Sequence, residues 1–214
     1  GAASMVAEAA HSWADTGNEI FLYVAARRSV KPADAGHPIG YGREAYVWSL
    51  FAAFGLFVVG AGVSIMHGVQ ELFDPEPADR FGISYAVLAI AFVLEGVSFL
   101  QAMRQSRREA TASHRDLLDH VMSTSDPTLR AVFFEDAAAL IGLVIAFVGI
   151  LLHQITGSAA PDAIGSILVG LLLAVVAFVL IRQNRRFLIG VAVEPEVRAA
   201  ALQQANYRLP GSTL

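Results

Sequence analysis

The sequence predicts an all-α, polytopic membrane helix bundle, and three observations carry that expectation. The 214 residues are 55% hydrophobic and only 16% charged, with a mean hydropathy of +0.54, too apolar for a water-soluble domain of this length. Three stretches, Ala45 to Gln70, Ala137 to Pro161 and Ala163 to Ile181, contain no Asp, Glu, Lys or Arg, and a fourth, Phe81 to Met103, has Glu95 as its single charge. Each is about as long as a helix must be to cross roughly 30 Å of hydrocarbon. Finally, the basic residues fall in blocks between the spans: fourteen of the fifteen Lys and Arg lie on one side if there are five spans, with Arg80 alone on the other. Cytoplasmic loops retain Lys and Arg, so the N-terminus is expected outside and the C-terminus in the cytoplasm.

The first span, 2–26, is the least apolar because it holds Glu8, His11, Asp15 and Glu19, yet Met5 to Ala14 and Ile20 to Ala26 still have the character of a membrane helix. A loop from Arg28 to Gly42 follows, with two prolines and three glycines to break regular structure. The second span, 45–70, runs into Leu72-Phe-Asp-Pro-Glu-Pro77, where proline stops the helix. The third, 81–103, leads into a polar, helical cytoplasmic stretch ending at Arg130. Asp126 as cap and Pro127 in the first turn then open the fourth span, 128–154. The fifth occupies 162–182. Residues 1–190 thus form one transmembrane domain, and 191–214 begin a truncated cytoplasmic region, with Glu194-Pro-Glu starting a short helix through Gln204.

An outside N-terminus that begins within a helix has nothing before it to start insertion, so a preceding helix is expected. No signal-peptide pattern is visible. The chain has no cysteine, hence no disulfide and no thiolate ligand. The net charge of -4, without a basic patch interleaved with aromatics, offers nothing to nucleic acid.

Ionisable groups inside spans are costly unless they pair, face water or bind an ion. Glu8, His11 and Asp15 stand at i, i+3 and i+7, a polar stripe on one helix face. Imidazole and carboxylate one turn apart can hold a divalent ion while leaving room for ligands from a second helix. Glu135 and Asp136 supply that second helix. Being adjacent they point about 100° apart, so at most one of them is expected to share a small site with His11 and Asp15. The small run Ala137-Ala-Ala139 after them lets a neighbour come close. Glu95 and Asp162 complete the set, and for both a merely structural hydrogen-bonding role stands equally open. Glu19 is expected in an interfacial salt bridge. His37, His114, His120 and His153 read as surface histidines, with Asp34 three residues before His37 in a constrained loop. Trp13 and Trp48 mark packing or interface positions, and Gly55, Gly60, Gly62, Gly165 and Gly170 suit close helix contact.

These residues resemble the transmembrane domain of the cation diffusion facilitator, or cation efflux, family. The strings that carry the resemblance are Met5-Val-Ala-Glu-Ala-Ala-His-Ser-Trp-Ala-Asp15, His37-Pro-Ile-Gly-Tyr-Gly-Arg-Glu44, Glu135-Asp-Ala-Ala-Ala-Leu-Ile-Gly142, Pro161-Asp-Ala-Ile-Gly-Ser-Ile-Leu-Val-Gly170 and Phe187-Leu-Ile-Gly190. The resemblance implies six membrane helices, of which this chain holds the second to the sixth. It also implies a tetrahedral transport site in which His11 and Asp15 match the pair on one helix and Asp136 one member of the pair on another. The remaining position is Val132, which cannot bind a metal, so Glu135, Glu95, Glu8 or water is left as the fourth ligand.

The implied activity is export of a divalent cation, as transported substrate, from the cytoplasm in exchange for protons by alternating access. Zinc is the foremost ion. An oxygen-rich site with one imidazole also admits Mn2+, Fe2+, Co2+ or Cd2+. The resemblance further implies a homodimer formed through a cytoplasmic α+β module, a multi-pass location in a bilayer, expected to be a bacterial inner membrane, and a second loop site using Asp34, His37 and Tyr41. Two rivals remain. A membrane metalloenzyme needs two or three histidines around an open zinc, and only His11 is placed within a span. A non-transporting or truncated membrane subunit would fold without moving ions.

Overall fold

The computed structural model describes residues 3–75, 81–112, 115–190 and 202–204. Its elements are helical: α1 (Ala3–Ser29), α2 (Glu44–Gly55), a π-helical segment (Leu56–Ala61), α3 (Gly62–Phe73), α4 (Phe81–Ala112), α5 (Leu117–Ser123), α6 (Pro127–Thr156) and α7 (Ala160–Ile189). Four helices among the described residues are long and apolar enough to cross a membrane: the continuous rod Glu44–Phe73, α4, α6 and α7. The fifth expected span, α1, has 27 residues, about 40 Å of helix, and is less apolar because of its acids. It packs against α2, α3 and α7, burying Asn18, Leu22 and Ala25 along one face and leaving Trp13, Ile20 and Tyr23 exposed. The short helix expected from Glu194 begins outside the described residues.

Local chemistry sets the helix ends. Asp126 accepts hydrogen bonds from the backbone N–H groups of Thr128 (2.8 Å) and Leu129 (3.2 Å), with Pro127 in the first turn, as expected. These contacts satisfy donors that a helix start otherwise leaves unpaired. Gly157, in the left-handed region at φ 69°, ends α6 and turns the chain into α7. At the C-terminal end of α1, Arg28 pairs with Glu44 at 3.7 Å and lies over Trp48, clipping the ends of the 30–43 loop together.

The architecture centres on α7, which touches α1, α2, the π segment, α3 and α6. Small residues make this possible, because they let backbones approach where no hydrophobic effect drives association. A Cβ at Gly68 would stand 2.7 Å from the Ala163 carbonyl oxygen, and one at Gly170 would stand 3.0 Å from that of Ala61. Gly170 was expected at such a contact and Gly68 was not. Gly165 is only in ordinary contact range, and Gly55 is a correction: nothing lies within 4 Å of its would-be Cβ. The π segment was also unforeseen, since no residue type announces the insertion of an extra residue into a helical turn. By contrast α4 is peripheral, packing on α5 and α6 and leaving Ile90, Val93 and Leu94 more than 60% exposed. Leu94 also borders the cavity described below.

Arg130, counted above among the basic loop residues, is instead fully buried near the start of α6. Its guanidinium donates to the Thr124 carbonyl and to Asn184 Oδ1, each at 2.9 Å, and lies over the Phe187 ring. Asn184 in turn donates to Ser49 Oγ at 2.8 Å. Tyr46 stacks on Phe187 and donates to the Ser125 carbonyl oxygen at 2.6 Å. This knot joins α2, α6, α7 and the α5–α6 turn. A buried cation is tolerable there because several acceptors replace its water.

Gly68→Ala is expected to destabilise the bundle by about 1–3 kcal/mol, because α3 must move away from the α7 backbone. Gly55→Ala, with open space around it, is expected to leave stability unchanged or slightly raised. Thermal unfolding of both variants in detergent checks the contrast.

Candidate metal site

The site grows from two adjacent carboxylates on α6. Glu135 and Asp136 diverge as their helical offset requires, and each finds a donor on a different helix. Asn18 of α1 donates through Nδ2 to Glu135 Oε2. Ser98 of α4 donates through its hydroxyl to Asp136 Oδ2 at 2.6 Å. Around these contacts lies a cavity of 240 Å³ lined by Asn18, Glu19, Glu95, Ser98, Val132, Glu135 and Asp136, with Leu22 and Leu94. Both carboxylates therefore line one cavity, although they face different helices. Val132 does share the cavity wall with Asp136, so the helical turn before Asp136 offers an apolar surface where a ligand would otherwise stand.

The predicted residues are distributed as follows. Asp136, Glu135 and Glu95 come together on the cavity. Glu19, expected in an interfacial salt bridge, is exposed and also borders the same cavity. Glu8, His11 and Asp15 belong to α1 by backbone, but their side chains lie outside the described residues. Among the described residues, no three His, Asp or Glu side chains form a metal-holding group. Asn18 and Ser98 were missed. Asn18 was legible, since it continues the stripe of Glu8, His11 and Asp15 at the next turn; Ser98, one turn from Glu95, carries no such signal.

Three other histidines correct the reading of that residue type. His153 is not a surface histidine: it is 6% exposed, with Nδ1 3.9 Å from Oδ2 of the fully buried Asp162 and its ring edge-on to Phe81. His67, overlooked when His11 alone was placed within a span, lies in α3. His120 is largely covered too, 3.2 Å from Glu109. His114 lies outside the described residues.

In the 30–43 loop, Asp34 organises its own turn. It accepts hydrogen bonds from the backbone N–H groups of Gly36 (2.9 Å) and His37 (2.7 Å) and from the Tyr41 hydroxyl (2.7 Å). The His37 ring lies 4.1 Å from that of Tyr41, centroid to centroid. The Tyr41 hydroxyl, then the His37 backbone N–H, hold the Asp34 carboxyl below its ordinary value, and the same contact raises the Tyr41 phenol. Asp34, His37 and Tyr41 are thus together, with the carboxylate engaged by the loop itself.

The bundle of apolar helices encloses a cavity rich in carboxylates. Residues 1–189 match the family described as the cation efflux transmembrane domain, and the chain belongs to that family. This is a transporter family, and the metalloenzyme rival falls with it. The chain is 38% identical over 196 residues to the mouse (Mus musculus) proton-coupled zinc antiporter SLC30A9, mitochondrial, covering 92% of this chain and 35% of that protein. It is 38% identical over 199 residues to metal tolerance protein C4 of Arabidopsis thaliana, covering 93% of this chain and 44% of the other. It is 28% identical over 151 residues to the cation-efflux pump FieF of Shewanella oneidensis, covering 70% and 47%. The chain therefore spans less than half the length of these relatives.

Tyr41→Phe is expected to move the Asp34 carboxyl up toward its ordinary value, which carboxyl-carbon NMR titration measures directly. Since the parent's value is depressed, the stabilisation from this carboxylate is present above the unfolded-chain value and is lost as pH falls through the folded one. The variant should lose its loop order at a higher pH than the parent.

Proposed function

We propose that this chain is the ion-conducting part of a divalent cation/proton antiporter that exports zinc, or a related ion such as Mn2+, Fe2+, Co2+ or Cd2+, from the cytoplasm. The observation that carries the proposal is the acidic cavity between α1, α4 and α6, one helical turn from Asp15 on the cytoplasmic side in the five-span orientation. Its carboxylates draw a cation toward Asp136, and His11 and Asp15 on α1 add two further ligands. Glu95 and Glu135 share the cavity with Asp136, and either of them, Glu8 or water supplies the fourth ligand.

Asp15 and Asp136 bring two negative charges, which balance a divalent ion in a medium of low dielectric. His11 must be neutral to bind, so uptake of the ion and release of protons are linked. The relatives' names, with zinc and proton coupling among them, support zinc as the first ion to test. The basic blocks support a cytoplasmic C-terminus. A homodimer and residence in a bacterial plasma membrane belong to the same proposal, the latter supported by the match to a bacterial pump.

Reconstitution of the full-length protein in vesicles tests the site. His11→Ala and Asp136→Ala are each expected to abolish metal-driven flux, and unchanged flux in both would overturn the assignment. Val132→His places an imidazole one turn before Asp136 and is expected to raise the zinc-to-manganese flux ratio, because imidazole suits zinc and carboxylate suits manganese.

A further inference from the structure

The last turns of α7 carry a second built feature, distant from the carboxylates. A cavity of 650 Å³ opens between α7 and α5, and its wall includes Met122, Phe178, Arg182, Arg185, Arg186 and Ile189. On α7 these positions are spaced i, i+4, i+7, i+8 and i+11, which places them along one face. The stripe reads apolar, cationic, apolar. Phe178 and Ile189 are 65% and 73% exposed, and no described residue forms an ion pair with any of the three arginines. The nearby Arg130 is committed to Thr124 and Asn184 and does not share in this surface.

Depth decides what such a stripe meets. From Asp162 to Arg182 is about 30 Å of helix, the thickness of the hydrocarbon layer, so the three guanidinium groups stand at headgroup level on the basic side of the protein. Phe178 lies one turn deeper, where acyl chains begin. Arginine matches phosphate oxygens in a bidentate fork and loses little hydration in doing so. We propose that this pocket binds an anionic phospholipid of the cytoplasmic leaflet, its phosphate held by Arg182, Arg185 and Arg186 and its upper acyl chain against Phe178, bridging α7 to Met122 of α5.

The test uses purified protein in neutral detergent, with retained lipid read by native mass spectrometry. Phosphatidylglycerol is expected to bind in clear preference to phosphatidylcholine. Each Arg→Ala replacement should weaken phosphatidylglycerol binding about fivefold, from the roughly 1 kcal/mol that one basic side chain near a membrane contributes. Arg185→Lys should lose less than Arg185→Ala. The single variants alter exposed side chains, so the parent's thermal midpoint in detergent confirms their folding. Equal phosphatidylglycerol binding by the parent and the Arg182→Ala, Arg185→Ala and Arg186→Ala variants would overturn the proposal. So would competition by glycerol phosphate as strong as by the lipid, which would make this a site for soluble phosphate.

Discussion

A carboxylate surrounded by apolar helices needs a hydrogen-bond donor, and α6 presents two carboxylates in succession. Because neighbours on a helix diverge by about 100°, one donor cannot serve both. Asn18 meets Glu135 from α1 and Ser98 meets Asp136 from α4. These two contacts draw three helices around one point, and the acidic cavity is the space left between them. The peripheral α4 contributes to the site through Glu95 and Ser98, despite leaving much of its surface to lipid.

The rest of the bundle is held by a different kind of contact. Along α3 and α7 the glycines at 68 and 170 bring backbone against backbone, so the two helices have no slack at those levels. Where α6 begins, the Arg130 knot fastens α6 and α7 to α2 through neutral acceptors and an aromatic face. The seam and knot make a stiff frame of α2, α3, α6 and α7. At the cavity the two contacts described are hydrogen bonds from neutral donors, Asn18 and Ser98.

Much of this was legible in one sequence. The spans appeared as charge-free runs, Asp126 and Pro127 announced the start of α6, and the carboxylates of α6 stood out because hydrocarbon makes them expensive. Asn18 could have been added by following the α1 stripe one turn further. The errors have a common cause. Arg130 and His153 were assigned to a loop or the surface because each lies near a helix end, where linear distance from the nearest apolar run says little about burial. Gly55 and Gly68 show the same limit: both are small residues in one span, and only the neighbour's path separates the open position from the crowded one.

What the sequence determined by itself is the solvent and its consequences. An apolar composition demands helices of bilayer length, the basic residues gather in the connections at one end of those helices, and an intramembrane acid is costly enough to need a partner. The tertiary structure decided that Asn18 reaches Glu135 and Ser98 reaches Asp136, that Glu95 shares a cavity with Asp136 while Asp162 lies beside His153, and that Val132 stands in the wall of that cavity. The physical reason is that helical periodicity fixes a side chain's direction around its own axis, whereas the identity of the partner depends on how the axes are packed. That packing is set by a few close approaches of small residues, which composition and spacing do not encode.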